Sequence, residues 1–174
     1  MFERLVLAVG SRWFRLVLVA LVVLSLQTTL FSDVRPFGFA VQVVAIFVAC
    51  AGSAHDVQVG TLVGLISGLM YDAVLATPLG VSALVFGAVG AIASLLVQPF
   101  RDPTWWLRLL AASIAAAFGE VLMPLVKSVV GLDGWLETRI IGAVLVTFIG
   151  ALALAGPFIP VTRWTLQERV GRGN

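Results

Sequence analysis

The 174-residue chain is 60% hydrophobic and only 11% charged, with 17 glycines and a formal net charge of +2. A soluble domain carries about a quarter charged residues. This composition, with a mean hydropathy of +1.08, excludes an ordinary water-soluble enzyme and predicts an all-α integral membrane protein. The length fits one transmembrane domain with no separate soluble catalytic module, and a single cysteine, Cys50, excludes an intramolecular disulfide.

A spanning helix needs about 20 mostly apolar residues, and six runs meet or approach that length. Residues 1–15 mix Phe2, Leu5, Val9 and Trp13 with charges, the pattern of a basic segment lying at the interface. A first span follows at 16–31. Arg4, Arg12 and Arg15 ahead of it imitate a secretory leader, but no small-x-small cleavage site follows, so a retained span is expected. The second span, 37–54, contains Cys50, which reads as a small buried hydrophobe. The third, 57–71, is short, and the His55-Asp56 turn before it leaves a re-entrant hairpin as an alternative. The fourth spans 79–100. The fifth, 105–130, contains Pro124 and is expected to tilt or kink. The sixth spans 136–159, and a weakly basic tail, 160–174, closes the chain.

Basic residues orient this bundle. One side of a six-span topology receives Arg4, Arg12, Arg15, Arg101, Arg108, Arg163, Arg169 and Arg172; the other receives Arg35 and Arg139. The positive-inside rule then places both termini in the cytoplasm of a bacterial inner membrane. Trp13, Trp105, Trp106, Trp135 and Trp164 all fall at span ends, as an interfacial aromatic belt requires. The tail suits an anionic leaflet and is too sparse for nucleic acid.

Two constellations stand out from the apolar background. In the third span, Gly60, Gly64 and Gly68 recur every four residues and therefore share a face. A face without side chains lets another backbone approach closely, either inside this protein or from a partner. Asp72 follows, where the helix dipole disfavours an acid. It reads as a turn residue that caps the next helix or bonds the loop backbone, or alternatively as a residue that lines an outward-facing pocket or pairs with a cation such as Arg139. Pro78-Leu79-Gly80 reads as a tight entry to the fourth span.

The second constellation is Glu120, Pro124 and Lys127 in the fifth span. Glu120 lies about ten residues from the span end, or roughly 15 Å. An acid at that depth is either functional or part of a buried polar network. Lys127 lies two turns away on the same face, and Pro124 removes the helical donor to the Glu120 carbonyl. His55 is the only histidine, with no second His or Cys at ligand spacing, so neither a metal nor another cofactor is expected. No nucleophile–base pair, paired carboxylates or phosphate loop appears. Ser67, Ser82, Ser94 and Ser113 lie within spans, where a serine more often bonds its own helix.

The segment Gly64-x-x-x-Gly68-Leu-x-x-Asp72-x-x-x-x-x-Pro78-Leu79-Gly80, in a six-span chain of this length, resembles the MreD family of rod-shape-determining membrane proteins. The resemblance implies a non-enzymatic scaffold or regulator of the bacterial elongation machinery. Its implied partner is an MreC-like protein, and through it MreB, RodA and a class B penicillin-binding transpeptidase; a homodimer is a further candidate assembly. The family is similar in fold to the substrate-binding membrane components of energy-coupling-factor vitamin transporters. That supplies the alternative function, with the loop from Asp72 to Pro78 over a pocket. The resemblance carries no catalytic residue onto this chain.

Overall fold

The computed structural model describes residues 11–30, 38, 41–75, 78–131 and 140–166, and these fold into six α-helices. They are α1 (Arg12–Thr29), α2 (Val43–Ala54), α3 (Val57–Leu75), α4 (Val81–Val97), α5 (Trp105–Val129) and α6 (Ile140–Leu166). Four of them, α1, α3, α5 and α6, are long and apolar enough to cross a membrane; α2 and α4 are shorter.

The helices form a ring around one of their number. Contacts run α1–α3, α3–α4, α4–α5, α5–α6 and α6–α1, and α2 touches all five. A helix surrounded in this way must be apolar on every side. The sequence of α2 meets that demand: every residue from Val43 to Ser53 is buried, Cys50 and Phe47 included. Phe47 meets Phe158 of α6 edge to face, with ring centroids 6.1 Å apart.

The helix boundaries differ from the predicted spans for identifiable reasons. Within the 37–54 run, α2 starts at Val43, because Gln42 has φ −83° and ψ 81° and lies outside the helix. At 1.5 Å per residue α2 is about 18 Å long, well short of the roughly 30 Å hydrocarbon layer. It therefore cannot cross the layer by itself, and at least one of its ends stops inside the bundle. The third span continues four residues beyond its predicted end, to Leu75, which places Asp72 in its last turns rather than in a loop. At the other extreme, α1 starts at Arg12 because Ser11 caps it, its hydroxyl accepting from the Phe14 N–H at 3.2 Å. The remaining expectations for residues 1–10, and those for Arg35, Trp135, Arg139, Arg169 and Arg172, lie outside the described residues.

Arg15, Arg108 and Arg163 gather at one end of the bundle. Arg15, near the start of α1, donates to the Trp164 carbonyl in the last turn of α6 at 3.1 Å and lies over its indole. The α2–α3 turn shares one cavity lining with the end of α4 and with Arg108 at the start of α5.

Candidate functional site

The glycine face is where the backbone does the packing. A Cβ added to Gly64 would stand 2.5 Å from the Phe86 carbonyl carbon and 2.7 Å from the Gly87 Cα. One on Gly68 would stand 2.6 Å from the Ala83 nitrogen, and one on Gly60 would stand 2.7 Å from both the Gly90 oxygen and the Ser94 hydroxyl. All of these neighbours belong to α4 of the same chain. Opposite, Ala83, Gly87 and Gly90 keep α4 equally smooth, and Gly52 brings α2 against Gly90. Three backbones thus meet without intervening side chains, which maximises dispersion contact where lipid removes the hydrophobic drive between helices.

Asp72 completes the α3–α4 pair. It is 1% exposed, and its carboxylate accepts from the Gly80 N–H at 2.8 Å and from the Ser82 N–H at 3.1 Å. These are orphan donors at the start of α4, where the N-cap residue, Gly80, has no side chain to supply. Gly80 adopts φ 105°, a left-handed conformation that glycine takes without strain. The acid at the close of one helix therefore caps the next, at the positive end of its dipole. Pro78 and Leu79 form the turn between them, with the Pro78 carbonyl accepting from the Val81 N–H at 3.3 Å.

A second group of polar residues holds the two ends of α2. At its N-terminus, Gln27 of α1 accepts from the Val43 N–H at 2.6 Å and donates to the Val41 carbonyl at 3.2 Å. The N-cap Gln42 donates to Glu120 Oε2 at 3.4 Å, and Thr147 of α6 donates to Glu120 Oε1 at 2.8 Å. At the C-terminus, Arg108 donates to the Ser53 carbonyl at 2.7 Å and the Ser94 hydroxyl to the Gly52 carbonyl at 2.8 Å. The acid thus stands at the positive pole of α2 and the guanidinium at its negative pole, each where the dipole favours it. Both lie on α5, twelve residues apart. That is about 18 Å, the length of α2 itself. Backbone ending at membrane depth is tolerated only where protein satisfies it, and here α1, α4 and α5 do so directly.

The predicted site residues therefore separate into different tasks. Gly60, Gly64, Gly68, Asp72 and Gly80 come together at the α3–α4 pair, while Glu120 belongs to the α2 support. Lys127 occupies the last turn of α5, where a cation suits the dipole, and no ion pair among the described residues joins it to Glu120. Pro124 lies within α5, which continues through it. Gln27, Gln42 and Thr147 escaped the sequence reading, and Arg108 entered it only as a charge. Their signal was present: a neutral amide inside an apolar run is costly unless bonded.

A cavity of about 560 Å³ opens at the basic end, where Ser53, His55, Asp56, Gln58, Gln98 and Arg108 contribute its polar lining. His55 Nε2 is buried there without a hydrogen-bond partner. Burial pushes His55 below its ordinary value of 6.5; the Thr162 backbone opposes this, and the Arg163 and Arg108 charges reinforce it. Among the described residues no group of three or more His, Cys, Asp or Glu could hold a metal ion.

An all-helical bundle with four helices able to span, glycine-mediated backbone packing and polar groups engaged at helix ends defines a multi-pass membrane protein. Its described polar groups organise the fold itself. A family model described as rod shape-determining protein MreD matches residues 8–168, nearly the whole chain, and the chain belongs to that family. Its role is accordingly in rod-shape determination. No curated protein and no solved structure matches it.

Proposed function

We propose that this chain is a non-enzymatic scaffold of the cell-elongation machinery, seated in the bacterial inner membrane with both termini cytoplasmic. It binds the span of an MreC-like protein and thereby supports peptidoglycan synthesis by RodA and a class B penicillin-binding transpeptidase, in register with MreB. The observation that carries this reading is the closed ring around α2, in a chain of the MreD family. Such a ring is a rigid body whose glycine face is already filled by its own α4, so a partner helix docks on the outer wall. Exposed Leu18, Leu21 and Val22 on α1 and Ile141, Leu145 and Ile149 on α6 give that wall apolar surface, and van der Waals packing drives association of spans in lipid.

The test is complementation in a rod-shaped bacterium depleted of its own MreD. Wild-type chain should restore rod shape and cell width. Cells that stay rounded with the protein present at normal level in the membrane would refute the assignment.

A further inference from the structure

At the basic end, α5 and α6 leave a slot of about 290 Å³ between them, lined by Trp105, Gly156, Ile159, Pro160 and Arg163. Its floor is apolar. A Cβ added at Gly156 meets nothing within 4 Å, so the missing side chain here opens space rather than admitting a neighbouring helix. In this respect Gly156 differs from Gly60, Gly64 and Gly68. Ile159 forms a buried wall, and Trp105, 69% exposed, stands at the rim. Trp105 and Trp164 at this level mark the depth of a headgroup region.

The slot has a charged mouth. Arg163 lies seven residues beyond Gly156 on α6, about 10 Å along the axis. It is exposed and has no acidic partner among the described residues. Arg108, one turn after Trp105 on α5, lies within electrostatic reach of it but lines the neighbouring cavity, bonded to the carbonyls of Ser53 and Pro103. The slot's own charged group is therefore Arg163. An apolar channel leading to an exposed guanidinium at the headgroup level fits a molecule with an acyl chain and a negative head.

We propose that this slot is a binding site for an anionic glycerophospholipid, with one acyl chain lying along Gly156, Ile159 and Pro160 and the phosphate at Arg163. The planar guanidinium matches a phosphate's oxygens in pairs. A phosphatidylcholine offers the same chains and phosphate, but its quaternary ammonium would face the same cation. The site therefore selects on net headgroup charge.

The test uses native mass spectrometry of the full-length protein, titrated with phosphatidylglycerol or with phosphatidylcholine of identical acyl chains. Wild type should retain phosphatidylglycerol about fivefold more tightly, as expected for one basic residue acting on an anionic lipid. Arg163→Gln should bring the two lipids to within about twofold of each other. Gly156→Leu, whose Cβ has open space around it and whose side chain fills the slot, should lower retention of both. Equal retention of the two lipids by wild type, or a preference that survives Arg163→Gln, would overturn the proposal. So would undiminished lipid retention by Gly156→Leu.

Discussion

Replacing Gly64 by alanine adds one methyl group, and its effect can be worked out from the backbone. In a free helix Gly→Ala stabilises by up to about 1 kcal/mol. Within the bundle the new Cβ would sit 2.5 Å from the Phe86 carbonyl carbon and 2.7 Å from the Gly87 Cα. Neither atom can rotate away, because both are main chain. Restoring ordinary contact at 3.4 Å with these two atoms means parting α3 from α4 by at least about 0.7–0.9 Å along that face, and the Phe86 carbonyl oxygen stands closer still. A gap of that size forfeits a quarter to a half of each contact's attraction, so over about 30 atom pairs at about 0.1–0.2 kcal/mol the loss is about 2 kcal/mol. That agrees with the general cost of overpacking, about 1–3 kcal/mol, and exceeds the propensity gain. Net of that gain, Gly64→Ala should lower the folded-to-unfolded ratio by about 5- to 30-fold, whereas Gly156→Ala, with open space around it, should be neutral or stabilising. Equilibrium unfolding by SDS in mixed micelles, followed by circular dichroism, measures both. A Gly64→Ala variant within about 0.5 kcal/mol of wild type would refute close packing as the reason for the glycine face.

Asp72→Ala should cost about 2–3 kcal/mol, since it leaves the Gly80 and Ser82 N–H groups unpaired in a buried site; Asp72→Asn should lose less, and hydrogen exchange at Ser82 reads the change directly. Glu120→Gln keeps an acceptor for Thr147 and should cost under about 1 kcal/mol with normal cell width, whereas Glu120→Ala strands Thr147 and Gln42 and should cost about 2–4 kcal/mol in the same unfolding assay. Gln27→Ala uncaps α2 and should cost about 1 kcal/mol, with faster exchange at Val43 as its signature. Because folded His55 binds its proton less tightly than in the unfolded chain, the unfolded state takes up protons first on acidification. Stability should thus be full above pH 6.5 and decline as the pH falls below it towards the folded value. A pH series of melts should show this slope in wild type and lose it in His55→Gln.

Much of this was legible because membrane sequences advertise apolar length and small-residue spacing. The four-residue recurrence of Gly60, Gly64 and Gly68 announced a close backbone approach. What it approaches was not legible, since Ala83, Gly87 and Gly90 are each unremarkable alone and match the α3 face only once α4 is set in register. The same holds for α2. Residues 37–54 read as a continuous apolar run, yet α2 begins at Val43, where Gln27, sixteen residues upstream on another helix, accepts from its first N–H. Asp72 illustrates a different loss. Its capping role was among the readings open from sequence, but its partner N–H groups lie eight and ten residues away. The choice between pocket and cap therefore depended on tertiary structure.

The α2 support suggests how a small membrane scaffold acquires rigidity. Arg108 and Glu120 are spaced on α5 by the length of α2 and bracket its dipole. Lengthening α5 by one residue between them would rotate one group about 100° off the α2 face, so the pair fixes helix register as well as satisfying charge.

The most direct test of the scaffold assignment is affinity purification of the tagged full chain from native membranes in mild detergent, with every co-purifying polypeptide quantified by mass spectrometry. The account predicts stoichiometric recovery of an MreC-like protein, retained in Glu120→Gln and lost when α3 and α4 are parted by Gly64→Leu. Recovery of a membrane ATPase module with no MreC-like protein would contradict it.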